Sequence, residues 1–209
     1  MTAKQPLGRG VLDVLSGLPL FLTAPLHRRS HLRWGANDEE VRGAMPGDDL
    51  VPRPSFCATR AITIDAAPAR VWPWIVQLGY RRAGWYTYDL LDNAGHESAD
   101  TVLEEYQHPE VGDWVPMASK VDETTAFRVG GLEPDEWLLW TKPDSTWAWK
   151  LTPLDGDRTR LVARLKQRYQ WERPSAALLA LVLLEFGDFP MMRRMLTGIK
   201  ARAERTAGA

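Results

Sequence analysis

The second half of the chain alternates apolar and polar residues in short runs, which is the pattern of β-strands with one buried face. Turn-forming residues separate five such runs, which cover residues 112–117, 124–132, 136–142, 145–154 and 158–169. The turns themselves are expected at Gly130-Gly131, 133–135, 143–144 and 155–157. Because consecutive strands joined by short turns pair antiparallel, the pattern predicts an antiparallel meander.

One more strand and a helix precede the meander. Arg60, Ile62 and Ile64 alternate with small residues, which predicts a strand that turns all three side chains to one face. A helix is expected to begin at Pro68, since proline is tolerated in a first helical turn, and to end at Gly79.

A second helix is expected from Trp85 to Asn93, because Gly95 then stops the pattern. On a helix, residues spaced by three and four share a face. One face of this helix would carry Trp85, Tyr88, Asp89 and Asp92.

From Ser175 onward the sequence is helical in pattern. Gly187 and Pro190 separate an apolar first part from an amphipathic second part. The apolar stripe of the second part consists of Met191, Met195 and Ile199. The order of elements is therefore strand, two helices, meander and a long C-terminal helix.

Residues 1–56 are interpreted as an extension to a single domain formed by residues 57–209. The stretch from Gly10 to Leu26 is apolar but interrupted by Asp13 and two prolines, so it is too short and too broken to predict a membrane span. It either docks on the domain as an amphipathic segment or makes peripheral contact with a membrane. Residues 34–56 are expected to form an extended wrap with a short helix at Asp38 to Gly43.

Composition narrows the functional classes. The chain has 209 residues, 25% of them charged, and a formal net charge of −1, and no arginine-rich tract is present, so nucleic acid is not an expected partner. The single cysteine, Cys57, excludes an internal disulfide and a zinc site built from several thiolates. A cytoplasmic location agrees with that cysteine usage, and the Cys57 side chain is expected in the core. The sequence does not indicate an oligomeric state.

Two motifs resemble a known superfamily. They are ATRAITIDAAPARVWPWIVQLG at 58–79 and DRTRLVARL at 157–165, and both are similar to the START-related, pollen-allergen-like superfamily often called SRPBCC. That superfamily includes polyketide cyclases, lipid-transfer domains and ligand receptors, and the resemblance extends from Phe56 to Glu204. The RWGA, RAGWY and MLTGIKARAE segments resemble an uncharacterised bacterial branch of it more closely.

The resemblance implies an α+β helix-grip fold, in which a curved antiparallel sheet wraps around a long C-terminal helix with two short helices after the first strand. It also implies a cavity between sheet and helix. The run from Val71 to Leu91 contains three Trp and three Tyr, a composition suited to the wall of such a cavity. The expected ligand-binding residues are Arg60, Trp85, Tyr86, Tyr88, Asp89, Trp147 and Trp149.

Arg60 would point toward the cavity on the inward face of its strand. A buried guanidinium must be paired, and Asp89 is the expected partner. The pair either ties the first strand to the short helices or anchors a polar end of a ligand.

Three functions remain open from the sequence. The first is binding or carriage of a small hydrophobic, lipid-like or polyketide-like molecule. The second is a cofactor-independent cyclase, dehydratase or hydrolase in which Tyr86, Tyr88 or Asp89 moves a proton. The third is a structural or membrane-associated protein whose cavity is filled by its own tryptophans.

No cofactor, metal or catalytic residue is predicted. The spacing of His96, Asp100, Glu104 and His108 by four would offer metal ligands only on a continuous helix, where drift separates the first and last by about 120°. A P-loop, a dinucleotide-binding fingerprint and an HExxH motif are absent from the sequence.

Overall fold

The fold is seen in a computed structural model, which describes residues 4–172 and 174–207. Six antiparallel strands form one sheet: β1 (Phe56–Ile64), β2 (Trp114–Pro116), β3 (Ala126–Glu133), β4 (Trp137–Lys142), β5 (Ser145–Leu154) and β6 (Arg158–Gln167). The order across the sheet is β1-β6-β5-β4-β3-β2. The predicted meander is confirmed, and β1 closes it by pairing with β6 along its whole length.

A long helical run follows the sheet. It consists of α6 (Pro174–Val182), a π-helical segment (Leu183–Asp188) and α7 (Phe189–Ala207). The α7 helix contacts β1 and the helix α4 (Pro68–Val76). Its buried face consists of Phe189, Met192, Met195, Leu196, Ile199 and Ala203. The helix-grip fold that the motifs predict is therefore the fold of this chain.

The connection between β1 and β2 differs from the prediction. The α4 helix lies where it was expected, but the second helix, α5, spans only Asp89–Asp92. Residues 79–88 instead form tight turns, with an isolated bridge between Gly79 and Gly84. Tyr86 has φ +56°, a left-handed conformation that interrupts any helix. The helical face expected to begin at Trp85 therefore does not exist.

The predicted turn at Gly130-Gly131 is wrong, because both glycines lie inside β3. The register between β3 and β4 shifts between Val129 and Gly131, which is an irregularity of the kind a β-bulge produces. A Cβ on Gly130 would lie 2.6 Å from the Thr141 side chain. The glycine is thus explained by close approach between neighbouring strands.

Residues 4–50 lie against the domain. Helix α1 (Leu7–Thr23) is followed by a 3₁₀ turn (Ala24–His27) and by α2 (Arg28–His31). Gly10, Gly17 and Ala24 recur every seven residues on the inner face and are buried. A Cβ on Gly17 would clash with the Tyr88 hydroxyl. The helix therefore docks mainly through small residues, and most of its large apolar side chains point outward.

The segment after α2 covers the outer face of the sheet. Backbone carbonyls of Leu32 and Trp34 accept hydrogen bonds from β1 and cap its free edge. The short helix α3 (Asp38–Arg42) begins with a capping box between Asn37 and Glu40. A second, smaller core lies beneath this segment, formed by Met45, Ala61, Leu139, Ala148 and Val162.

Candidate functional site

A cavity of about 340 Å³ lies between the inner face of the sheet and the helical run after residue 174. Helix-grip folds place space here because the curved sheet and the helix touch along only part of their length. Most of its lining is apolar, including Trp85, Phe127, Trp147, Leu165, Leu184 and Met192. The π-helical segment supplies one wall, and strands β3 to β6 supply the other.

Four tryptophans form a cluster beside the cavity. The Trp85 ring stacks on Trp147 at 5.7 Å between centroids, and Trp147 stacks on Trp149 at 5.1 Å. Trp140, paired with Trp147 across strands β4 and β5, packs edge-on against the other three rings. The cluster fills part of the space beneath the helix, and the 340 Å³ cavity remains beside it.

Three residues that line this cavity have a buried polar atom without a hydrogen-bond partner. In Asp188 that atom is ion-paired with Arg60 at 2.6 Å, which leaves two atoms unpaired. One is the indole Nε1 of Trp147, a side chain that is 5% exposed. The other is Oδ1 of Asp92, whose second carboxyl oxygen accepts a hydrogen bond from the Thr87 hydroxyl. A buried polar atom without a partner costs free energy, and in a native protein it requires a physical reason.

The carboxyl group of Asp92 is also electrostatically unusual. Its pKa is raised to about 7, mainly by burial and also by the nearby charge of Asp89, whereas the Thr87 hydrogen bond lowers it. Lys142 also lines the cavity, with its Nζ 4.9 Å from the centre of the Phe127 ring. Burial lowers the pKa of this amine. The apolar cavity therefore contains one acid that titrates near neutrality and one partly desolvated amine.

Arg60 is buried as expected, but its predicted partner is wrong. It is 2% exposed, and its guanidinium lies 2.6 Å from a carboxyl oxygen of Asp188, at the end of the π-helical segment. It also donates a 2.8 Å hydrogen bond to the carbonyl of His31. Asp89 is bonded elsewhere, because the turns over residues 79–88 carry it away from β1. Arg60 therefore reaches the cavity through Asp188, which is one of the lining residues.

Tyr86 and Asp89 meet in a different place. Both line a polar pocket of about 450 Å³ between α1, α7 and the loop before α5. The Tyr86 hydroxyl accepts a 2.7 Å hydrogen bond from Gln77, and burial raises its pKa. The Asp89 carboxylate accepts hydrogen bonds from the hydroxyl and the backbone N–H of Ser98, while burial raises its pKa. Their polar atoms are already engaged within the protein.

The other two expected residues have packing positions. Tyr88 lies against the N-terminal helix, with its ring 5.3 Å from that of Phe21 and the Arg194 guanidinium 4.3 Å above it. Trp149 is fully buried beneath Trp147. Of the seven expected residues, the structure thus brings Trp85 and Trp147 together on the cavity.

Neither of the minor chemical candidates forms a cluster. Among the described residues, no group of three or more His, Cys, Asp or Glu side chains is arranged to hold a metal ion. Glu104 and His108 lie 3.5 Å apart and are both exposed. The expectation of a core position for Cys57 is wrong, because its side chain is exposed at the start of β1, where the alternation turns it outward.

Sequence reasoning missed the polar lining of the cavity. Asp92 was placed on a helical face with Asp89, but the short α5 sends the two carboxylates into different pockets. Asp188 follows Gly187 in a stretch whose pattern indicated only a break between two helices. The available signal was the presence of two acids, Glu185 and Asp188, in an otherwise apolar segment, because an acid there needs a partner.

Comparisons with known proteins concern the fold. No protein-family model matches the sequence, and no curated protein matches it significantly. Solved structures with a similar fold include the Polyketide_cyc-like protein Cgl2372 from Corynebacterium glutamicum. It is 15% identical, and the match has a TM-score of 0.46 and covers 72% of this chain and 93% of that one. Protein MLL2253 from Mesorhizobium loti is 14% identical, with a TM-score of 0.43 over 72% and 98%.

A third similar structure is DynU16, from the dynemicin biosynthetic locus. It is 18% identical, with a TM-score of 0.37 over 69% of this chain and 47% of that one. The helix-grip assignment itself rests on the strand order and the C-terminal helix of this chain.

Proposed function

We propose that this protein binds a small, mostly apolar molecule that carries a hydroxyl group, in the cavity between the sheet and the π-helical segment. The observation that carries the proposal is the pair of unpartnered polar atoms, Trp147 Nε1 and Asp92 Oδ1, in residues that line an otherwise apolar space. A lipid-like alcohol or a phenolic, polyketide-like molecule has the required chemistry.

The energetic reason is the cost of leaving these atoms unpaired. Each buried polar atom without a partner costs about 1–3 kcal/mol, and a ligand that pairs it recovers part of that cost. A hydroxyl is suited to both atoms, because it can accept from an indole N–H and donate to a carboxylate. A fatty acid is less suited, because its own carboxylate would be repelled by an ionised Asp92.

The size of the cavity limits the ligand. Ligand cavities span roughly 300–1,000 Å³, and 340 Å³ lies near the lower end. Aromatic and methionine side chains on both walls offer a flat surface and an adaptable one, respectively. A compact ring system therefore fits better than a long extended chain.

The binding test uses the indole N–H signals of the uniformly ¹⁵N-labelled protein. Phenols, sterols and fatty acids are titrated separately, and the signal of Trp147 is assigned from its loss in Trp147→Phe. We expect at least one hydroxyl compound to shift that signal saturably. Its affinity should fall about tenfold in Trp147→Phe, which keeps a ring but loses the N–H. Trp114→Phe, on the edge strand β2, is the matched control and should bind normally.

Two results would contradict the proposal. One is a panel in which no hydroxyl compound shifts the Trp147 signal, which would favour a cavity that the tryptophan cluster keeps closed. The other is a ligand that binds equally well to wild type, Trp147→Phe and Asp92→Asn, since its hydroxyl would then contact neither predicted atom.

A second function is favoured by the raised pKa of Asp92. An acid with a pKa of about 7 in an apolar cavity is suited to proton transfer at neutral pH, as a cofactor-independent cyclase, dehydratase or hydrolase requires. Asp92 replaces Asp89 as the candidate, because Asp89 lines the other pocket. Turnover of a bound ligand that Asp92→Asn abolishes, while binding persists, would establish the enzyme. An unchanged ligand after prolonged incubation would exclude it for that compound.

A further inference from the structure

The outward side of two neighbouring helices is unusually apolar for a surface that faces water. On α1 the exposed residues are Leu7, Val11, Leu12, Leu15, Leu18 and Leu22. On α6 and the π-helical segment they are Leu178, Leu179, Val182, Leu183 and Phe186. We call these two rows the two-helix face. Contiguous apolar patches of this extent mark interaction sites, whereas single exposed leucines need no explanation.

The two rows lie on helices that touch each other. Helix α1 and the 3₁₀ turn after it contact the π-helical segment. Arg28 bonds both carboxyl oxygens of Glu185 at 2.8–2.9 Å and ties the two elements together. Within the described residues, 7–31 is also the stretch that is long and apolar enough to cross a bilayer. Only 17% of its most apolar window is buried in the protein. Its inner face, however, is already packed on the domain.

Charge identifies the occupant of this face. Residues 4–33 contain five Lys or Arg residues and a single acid, although the whole chain is nearly neutral. Each of the three acids on the two helices is paired with an arginine: Asp13 with Arg194, Glu185 with Arg28, and Asp188 with Arg60. Of the five basic residues, Arg9, Arg28 and Arg33 are paired with Glu97, Glu185 and Asp38. An anionic surface would therefore meet the positive charge of Lys4 and Arg29 and no free carboxylate on these helices.

We infer that the two-helix face is a peripheral docking surface for a bilayer that contains anionic lipids. The leucines enter the boundary between headgroups and acyl chains, and the basic residues near the ends of α1, among them the exposed Arg29, contact lipid headgroups. Neither helix spans the bilayer, because α1 keeps its Gly10 and Gly17 face on the domain and α6 keeps its inner face on the cavity.

The geometry also joins this surface to the cavity. Leu183 is 59% exposed and at the same time belongs to the cavity lining. The next residue, Leu184, and Gly187 about one turn later also line the cavity from the same segment. If the proposed function holds, the bilayer is the source or the destination of the apolar ligand, and the ligand passes beside this segment. Docking itself does not depend on that function.

The test measures flotation of the full chain with phosphatidylcholine vesicles, with and without phosphatidylserine. We expect binding to the anionic vesicles that weakens as salt is raised. Leu15→Asp and Leu179→Asp, one on each helix, should each reduce the vesicle partition coefficient about tenfold. Arg29→Glu should reduce it at least fivefold. Val111→Asp, equally exposed but on the loop before β2, is the control and should bind like wild type.

Several outcomes would overturn the inference. They are an absence of binding to either vesicle, an equal loss in Val111→Asp, and binding that ignores both lipid charge and salt. Sedimentation equilibrium of the same proteins covers the rival occupant: a stable dimer that Leu15→Asp and Leu179→Asp dissociate, without vesicle binding by wild type, would assign the face to a second copy of this chain. Failure of vesicle binding leaves the indole titration unaffected, so the two proposals fail separately.

Discussion

The two sides of the sheet differ in whether their buried polar groups have hydrogen-bond partners. On the outer face, Arg164 is 5% exposed and donates hydrogen bonds to the Thr59 hydroxyl, to the Asp48 carboxylate and to three backbone carbonyls of residues 40–43. On the inner face, Trp147 and Asp92 each leave a buried polar atom unpaired. A network in which every buried polar group has a hydrogen-bond partner stabilises the fold. A buried polar group without a partner can instead form a hydrogen bond with a ligand.

Arg160 extends the pattern on the outer face. Its guanidinium bonds both carboxyl oxygens of Glu40 and the carbonyl of Gly35, so it joins β6 to the α3 region. Lys166 adds a 2.9 Å ion pair to Asp48. The segment over residues 35–48 is therefore fixed to the sheet by charged groups as well as by the small apolar core beneath it.

The largest expected effect comes from removing the Arg164 hydrogen bonds on the outer face of the sheet. Arg164→Leu should lower the free energy of unfolding by about 3–5 kcal/mol, because three backbone carbonyls lose their donor and Asp48 keeps only Lys166 as a cationic partner. Urea denaturation measures the change. Arg158→Leu, an exposed arginine on the same strand, should change it by less than about 0.5 kcal/mol. Equal effects in both variants would mean that the outer network contributes nothing specific.

Asp92→Asn tests the cavity side of the sheet, and here we expect the free energy of unfolding to rise. The pKa of Asp92 is about 7 in the folded chain, against an ordinary value of 3.8, so the folded state pays for an ionised Asp92 above pH 7 and the unfolded state does not. Removing the charge should stabilise the fold by about 4 kcal/mol at pH 8. The gain should shrink as pH falls and nearly vanish by about pH 4, where both states bind the proton.

Denaturation of both proteins at pH 8 and pH 4 makes this measurement. Asp155→Asn, an exposed acid in the β5–β6 turn, is the control for a change in net charge. A stability difference between Asp92→Asn and wild type that does not vary with pH would show that Asp92 is solvated in the folded protein.

The smallest effect is expected at Tyr86. Tyr86→Phe removes one buried hydrogen bond to Gln77, whose side chain keeps its bonds to the backbone of residues 101 and 103. The free energy of unfolding should fall by about 1 kcal/mol. Ligand binding in the indole titration should not change. A loss of affinity as large as that of Trp147→Phe would mean that the polar pocket and the apolar cavity act as one site.

The strands were predictable because their information is local. In β5 and β6 every second residue is apolar and faces the helix, so periodicity alone assigns both the strand and its inward side. The C-terminal helix was predictable for the same reason, since its period is distinct from that of the strands.

The pairing of Arg60 was not predictable in this way. Asp188 lies at the end of a π-helical segment, and only the three-dimensional path of that segment brings it to β1. The left-handed backbone at Tyr86 is likewise a tertiary result, because its ring must fit between Trp74 and Arg202. The candidate site was therefore predicted at its aromatic wall and missed at its charged groups.

The pairing of β1 with β6 has a consequence for synthesis of the chain. Phe56 pairs with Gln167, so β1 leaves the ribosome about a hundred residues before β6, the strand with which it pairs. At roughly 5–20 residues per second that is a delay of roughly 5–20 s. During this interval the segment at Leu32 and Trp34, made earlier, can already cover the free edge of β1. In the nascent chain this segment would thus shield the unpaired edge of β1 from pairing with other chains.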